Sequence, residues 1–157
     1  MGMKIPAAVV KIDALLAALA GWLQSPLLLA LRLFWGWQFA QTGWGKLMNL
    51  DRTTGFFASL GLPLPRLNAI AAGSVECFGG ALLLVGLGAR FVSPALAFTM
   101  LVAYATADNE ALRAIFSDPD KFTGAAPFLF LAASVMVFVF GPGKLSLDAL
   151  LLRKPAV

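Results

Sequence analysis

The chain has 157 residues, 60% of them hydrophobic and 13% charged, with a formal net charge of +4 and a mean hydropathy of +0.85. A soluble domain of this size is mostly surface and cannot hide that much apolar area, so the composition points to an integral membrane protein with the lipid bilayer as its main partner. With no histidine and one cysteine, histidine-held haem, copper or zinc sites and Cys-x-x-Cys redox pairs lack their ligands. No metal site is expected, and the scattered positive charge reads as headgroup-level loop charge, not a nucleic-acid surface.

Along the chain, Val9, Ile12, Leu15, Leu16, Leu19, Trp22 and Leu23 follow helical spacing, and they predict an amphipathic interfacial helix over about 8–24. An Ala18-Leu19-Ala20 sequence before Gly21 has the form of a signal-peptidase site, but Lys11 and Asp13 shorten the apolar run before it, and no cleavage is expected. Four windows have the length and apolarity of membrane spans: 27–48, 67–87, 91–107 and 125–140, with prolines and glycines at the joints between them. After Gly141-Pro142-Gly143, Ser146 has the character of an N-cap for a short interfacial helix over 147–153, with Asp148 in its first turn. The expected fold is therefore all-α: one membrane domain, a four-helix transmembrane bundle with interfacial helices at both ends. An even number of spans puts both termini on one side. The Lys/Arg bias is slight, and the acidic Asp51, Asp108, Glu110, Asp118 and Asp120 crowd the other side, so the termini are placed in the cytoplasm.

A charged side chain within a span costs about 2.5–3.5 kcal/mol on insertion scales and normally turns into the bundle. Arg32, Gly36, Phe39, Gly43 and Lys46 form one stripe on the first span; Ala69, Ala72, Gly73, Glu76, Gly80 and Leu83 form one on the second. Glycines flank Glu76 because a neighbouring helix must come close, and the acid points at that neighbour. Depth counting puts Glu76 near the midplane, with Arg32 and Tyr104 within reach. Lys46 falls near the opposite surface, beside Asp51 or Asp108. Two readings stay open for the inner cluster: a proton-accepting or quinone-binding site, or an internal tie that fixes helix order. Cys77, turned away from Glu76, reads as a small packing residue.

The ordered set Arg32, Gly43-Trp44-Gly45-Lys46-Leu47, Leu60-Gly61-Leu62-Pro63, Glu76 with Gly79-Gly80, Gly86-Leu87-Gly88-Ala89-Arg90 and Gly141-Pro142-Gly143-Lys144-Leu145-Ser146-Leu147-Asp148 resembles the DoxX family of small four-helix bacterial membrane proteins. The family is similar to the membrane subunit of thiosulfate:quinone oxidoreductase. The resemblance covers about residues 25–150. It implies a subunit associated with a membrane redox complex in the bacterial cytoplasmic (inner) membrane, with other membrane redox proteins as partners and quinone as the cofactor class. It carries Arg32, Lys46 and Glu76 over as polar positions and supplies no catalytic assignment. The chain brings no cofactor of its own, so electron transfer would need a quinone or a partner's cofactor. The alternatives are a non-catalytic scaffold that binds other membrane helices through its small-residue faces, and a small-solute carrier served by a midplane acid.

Overall fold

The computed structural model describes residues 6–151, and the last two residues of the expected 147–153 helix lie outside them. Eight helices occur among the described residues: α1 (Ala7–Met48), α2 (Leu50–Ser59), α3 (Pro65–Val85), α4 (Ala89–Thr106), α5 (Asn109–Arg113), α6 (Pro119–Gly124), α7 (Pro127–Phe140) and α8 (Leu147–Leu151). There is no strand among these residues. The apolar bundle is built as expected from helices packed in the cyclic order α1, α3, α4, α7. Of these, α1, α3 and α4 are long and apolar enough to cross a membrane; α7 is apolar but shorter.

Two differences from the sequence-based boundaries matter. Residues 8–24 do not form a separate helix: α1 runs unbroken through Pro26. Near its other end, α1 does not continue to the surface. It breaks at Asn49 (φ −115°, ψ 48°), and α2 carries the wall onward. A break at membrane depth exposes backbone carbonyls that lipid cannot satisfy. Here Asn49 donates to the Gly45 carbonyl from both its backbone N–H and its side-chain amide, and Thr53 Oγ1 donates to the Lys46 and Asn49 carbonyls. The polar side chains at the break thus replace the missing helical bonds.

The predicted stripes are the buried faces. Arg32, Gly36, Phe39 and Gly43 are buried on α1; Ala69, Gly73, Glu76, Gly79, Gly80 and Leu83 are buried on α3. The two helices run antiparallel with Gly36 against Leu84 and Gly43 against Gly73 and Cys77. Without a hydrophobic driving force in lipid, this backbone-to-backbone approach supplies van der Waals contact that larger side chains would prevent. The rest of the core is Phe39, Leu83, Ala89, Leu96, Met100 and Val137, with Phe130 packed against it. Phe130 makes edge-to-face contacts with Trp35 and Phe39, with ring centroids 4.9 and 4.6 Å apart, and so ties α7 to α1.

A methyl group at Gly43 would sit 2.2 Å from the Cys77 amide nitrogen, and one at Gly80 would sit 2.5 Å from that of Ala40. Both neighbours are backbone and cannot step aside. Gly43→Ala and Gly80→Ala are therefore expected to destabilise the bundle by about 1–3 kcal/mol or more. Gly45 and Gly55 are helical with nothing near the added group, and alanine there should raise stability by up to about 1 kcal/mol. Thermal unfolding in detergent compares the four variants.

Candidate functional site: a charged pair on the wall of an apolar cavity

Glu76 sits near the middle of α3, which is 21 residues long, so about 16 Å of helix precedes it and about 14 Å follows. Its side chain is 4% exposed, and it is ion-paired with the Lys46 ammonium, whose side chain is 29% exposed. Lys46 reaches this level because it lies one turn past Gly43, which packs against Gly73 and Cys77 on either side of Glu76. The sequence-based depth had placed residue 48 flush with the far surface, and with it an expected pairing of Lys46 with Asp51 or Asp108. The structure corrects that pairing. Asp51 is exposed on α2 and approaches Arg66 at 4.0 Å, while Asp108 stands at the start of α5.

The expected grouping of Glu76 with Arg32 and Tyr104 is also corrected. Arg32 lies at the other end of the α1–α3 contact and is fully buried among backbone carbonyls. Nη1 donates to Leu84 O at 3.3 Å and Leu83 O at 3.5 Å, and Nη2 donates to Leu145 O at 2.5 Å. Tyr104 is equally buried, but its hydroxyl donates to the Phe122 carbonyl at 2.7 Å and its ring stacks on Phe122. It anchors the α6 turn. The physical reason is one of register: with Gly43 opposite Gly73 and Gly36 opposite Leu84, Arg32 falls opposite the last turn of α3.

That end of the bundle is a knot of polar contacts. The Asp148 carboxylate accepts from the backbone N–H groups of Gly88 (2.7 Å) and Ala89 (3.0 Å), so it caps the N-terminus of α4 with negative charge. Ser146 Oγ accepts from the Ala149 N–H and caps α8. Gly86 adopts φ +71°, and a methyl group there would lie 2.1 Å from Arg32 Nη1. The glycine is required on both counts. The Asp148 cap was not anticipated; the Gly-Leu-Gly turn before α4 was the available signal, since it exposes N–H groups that need an acceptor.

The Lys46–Glu76 pair borders a cavity of about 510 Å³. The cavity opens where α2 departs from the line of α1. Thr42 and Lys46 come from α1; Phe56 and Phe57 from α2, with Leu60 just after it; Ala72, Val75 and Glu76 from α3; Phe98, Thr99, Val102, Ala103 and Thr106 from α4; and Pro127 and Phe130 from α7. Asp108 and Asn68 add polar atoms. The walls are otherwise apolar, which is the usual make-up of a small-molecule site: greasy sides with a few fixed polar groups. Sequence reading missed the cavity because it had no signal for the break at Asn49 beyond that asparagine and Thr53. No group of three or more metal-ligating side chains occurs among the described residues.

The family model for DoxX matches residues 27–109, just over half of the chain and all of the elements that hold the charged pair. The chain belongs to the DoxX family. It is also 34% identical over 122 residues to a Bacillus subtilis (strain 168) protein named "Putative oxidoreductase CatD", a match that spans 76% of this chain and 83% of the relative. No solved structure gives a significant match. This DoxX protein is thus a multi-pass helical membrane protein, with a relative whose name places it among oxidoreductases.

A buried ion pair is held by the partnership and punished by its loss. Lys46→Met or Glu76→Gln alone is expected to cost about 3–5 kcal/mol by leaving one charge without its counterion. The double variant Lys46→Met with Glu76→Leu should recover most of that loss. Equilibrium unfolding of the three variants in one detergent measures the coupling, and additive losses would show that the two side chains do not act as a pair.

Proposed function

We propose that this DoxX-family protein is a redox-associated membrane subunit whose cavity takes up the headgroup of a lipid-soluble quinone. The observation that carries the reading is the Lys46–Glu76 pair on the wall of the apolar cavity. A ligand that partitions into lipid and carries polar oxygens needs apolar walls for its body and fixed polar groups for its head. The residues fit that requirement. The Lys46 ammonium can donate to a carbonyl oxygen, the Glu76 carboxylate can accept from a hydroxyl, and Thr99 and Thr106 add hydroxyls to an otherwise greasy lining. A bound quinone supplies electron acceptance and release, which no side chain here provides. The protein's own part is to bind and orient the head, to keep bulk water from it, and to hold exchangeable protons at Lys46 Nζ beside the Glu76 carboxylate. The oxidoreductase name of the Bacillus subtilis relative agrees in kind. The competing scaffold reading relied on small-residue faces offered to other proteins, whereas the glycines of α1 and α3 pack against each other inside this chain.

Wild-type protein extracted in native nanodiscs is expected to carry bound quinone, measured by lipid extraction and mass spectrometry. Glu76→Gln should lose most of it, and Ala103→Phe, which fills the cavity without touching the ion pair, should do the same. Arg66→Gln, on the exposed surface of α3, should retain it. Retention by Ala103→Phe at the wild-type level would sink the assignment of the cavity.

A further inference from the structure

Among the described residues, the first half of α1 is an arm with little contact. Every residue from Ala7 to Gln24 is exposed, and among those residues the arm meets the bundle only at its root, where Ser25 Oγ accepts from the Lys144 N–H at 3.2 Å and Leu28 packs under Gly143. At 42 residues the whole helix is about 63 Å long, against a hydrocarbon layer of about 30 Å. Ordinary tilts of 0 to about 40° cannot absorb that difference. Residues 28–48 alone are already about as long as the layer is thick. A straight α1 would therefore hold the arm in water.

Its side chains argue against water. Ile12, Leu15, Leu16, Leu19, Trp22 and Leu23 fall on one face of the helix, while Asp13, Ala14, Ala17, Ala20, Gly21 and Gln24 fall on the opposite one. The bulky residues are 50–73% exposed. A helix with one large apolar face and one small or polar face settles in the plane of a bilayer surface, with its apolar face sunk at the headgroup boundary. The boundary is marked at this end of the bundle: α8 exposes Leu147, Leu150 and Leu151 beside the root of the arm. Arg90 and Lys144 are exposed at the same end and Lys11 on the arm itself, a charge set that complements anionic headgroups. The joint needed for bending exists. Pro26 has no N–H for the Trp22 carbonyl, and the residue before a proline disfavours helical geometry.

We propose that in a bilayer α1 bends at Ser25-Pro26 and that the arm lies flat on an anionic lipid surface at the α8 end of the bundle. The bend falls where Pro26 has already removed one helical bond, so it breaks only the few that still span the joint, and it moves the bulky face from water to lipid. A second copy of the chain is the competing occupant, and it would cover the face without the bend.

Nitroxide labels on Leu16→Cys and on Ala17→Cys, each in a Cys77→Ala background, report the two faces of the arm by collision with oxygen, which dissolves in lipid, and with a water-soluble nickel chelate. Both label sites are exposed, so the fold is not at stake. In vesicles containing phosphatidylglycerol, the Leu16 label should favour oxygen several-fold over the chelate and the Ala17 label should show the reverse. Pro26→Ala should erase the contrast, and so should vesicles of phosphatidylcholine alone in part. Chelate access at both positions, or shielding of both labels from both reagents as a protein partner would give, overturns the proposal.

Discussion

Two helix backbones in near contact set the terms for everything else in this protein. Gly36 and Gly43 on α1 and Gly80 on α3 leave no room for a single methyl group at the closest points. That contact fixes the register of the two helices to the residue, and the register in turn decides which charges meet. Lys46 arrives at Glu76, and Arg32 arrives at the open carbonyls of the last turn of α3. A slip of one helical turn would leave both cations, and the acid, without partners in an environment that penalises each of them. Packing and electrostatics therefore enforce the same alignment.

The buried Arg32 and the half-buried Lys46 do different work. Arg32 donates from both Nη atoms to backbone carbonyls of α3 and of the segment after α7, so it ties that segment to the bundle; Asp148 completes that closure by capping α4. Its planar fork of donors suits several carbonyls at once. Lys46, a point charge on a flexible stem, stands beside a cavity with a single carboxylate partner. The arginine is spent on structure. The lysine and its acid are the groups left beside a space large enough for a ligand, and the break at Asn49 creates that space by letting α2 swing away from the line of α1.

The helical bundle, the buried stripes and the family were legible in the sequence because lipid solvent makes small and charged residues conspicuous within apolar runs. Arg32, Gly36, Phe39 and Gly43 could be read as one face for that reason. The partners could not. Counting residues from assumed membrane borders put Lys46 at a surface, because nothing in Leu47-Met48-Asn49-Leu50 announces that α1 stops about two turns short of the start of its neighbour. Pro26 was read as a boundary between two helices, whereas it removes one hydrogen bond from a single helix that runs through it. Tyr104 shared a depth with Glu76 on paper, but its hydroxyl is claimed by a carbonyl in a loop that depth counting ignores. Long-range register, set by the glycine contact, was the missing quantity.

The central claim is that the acid in the apolar heart of the bundle is ion-paired with one lysine. The chain has only two glutamates, Glu76 and the fully exposed Glu110, so infrared spectroscopy of protein carrying carboxyl-labelled glutamate reads Glu76 almost in isolation. At neutral pH the account predicts carboxylate bands for both residues, with one set missing in Glu76→Gln. A protonated carbonyl band in the wild type that disappears in Glu76→Gln would contradict it.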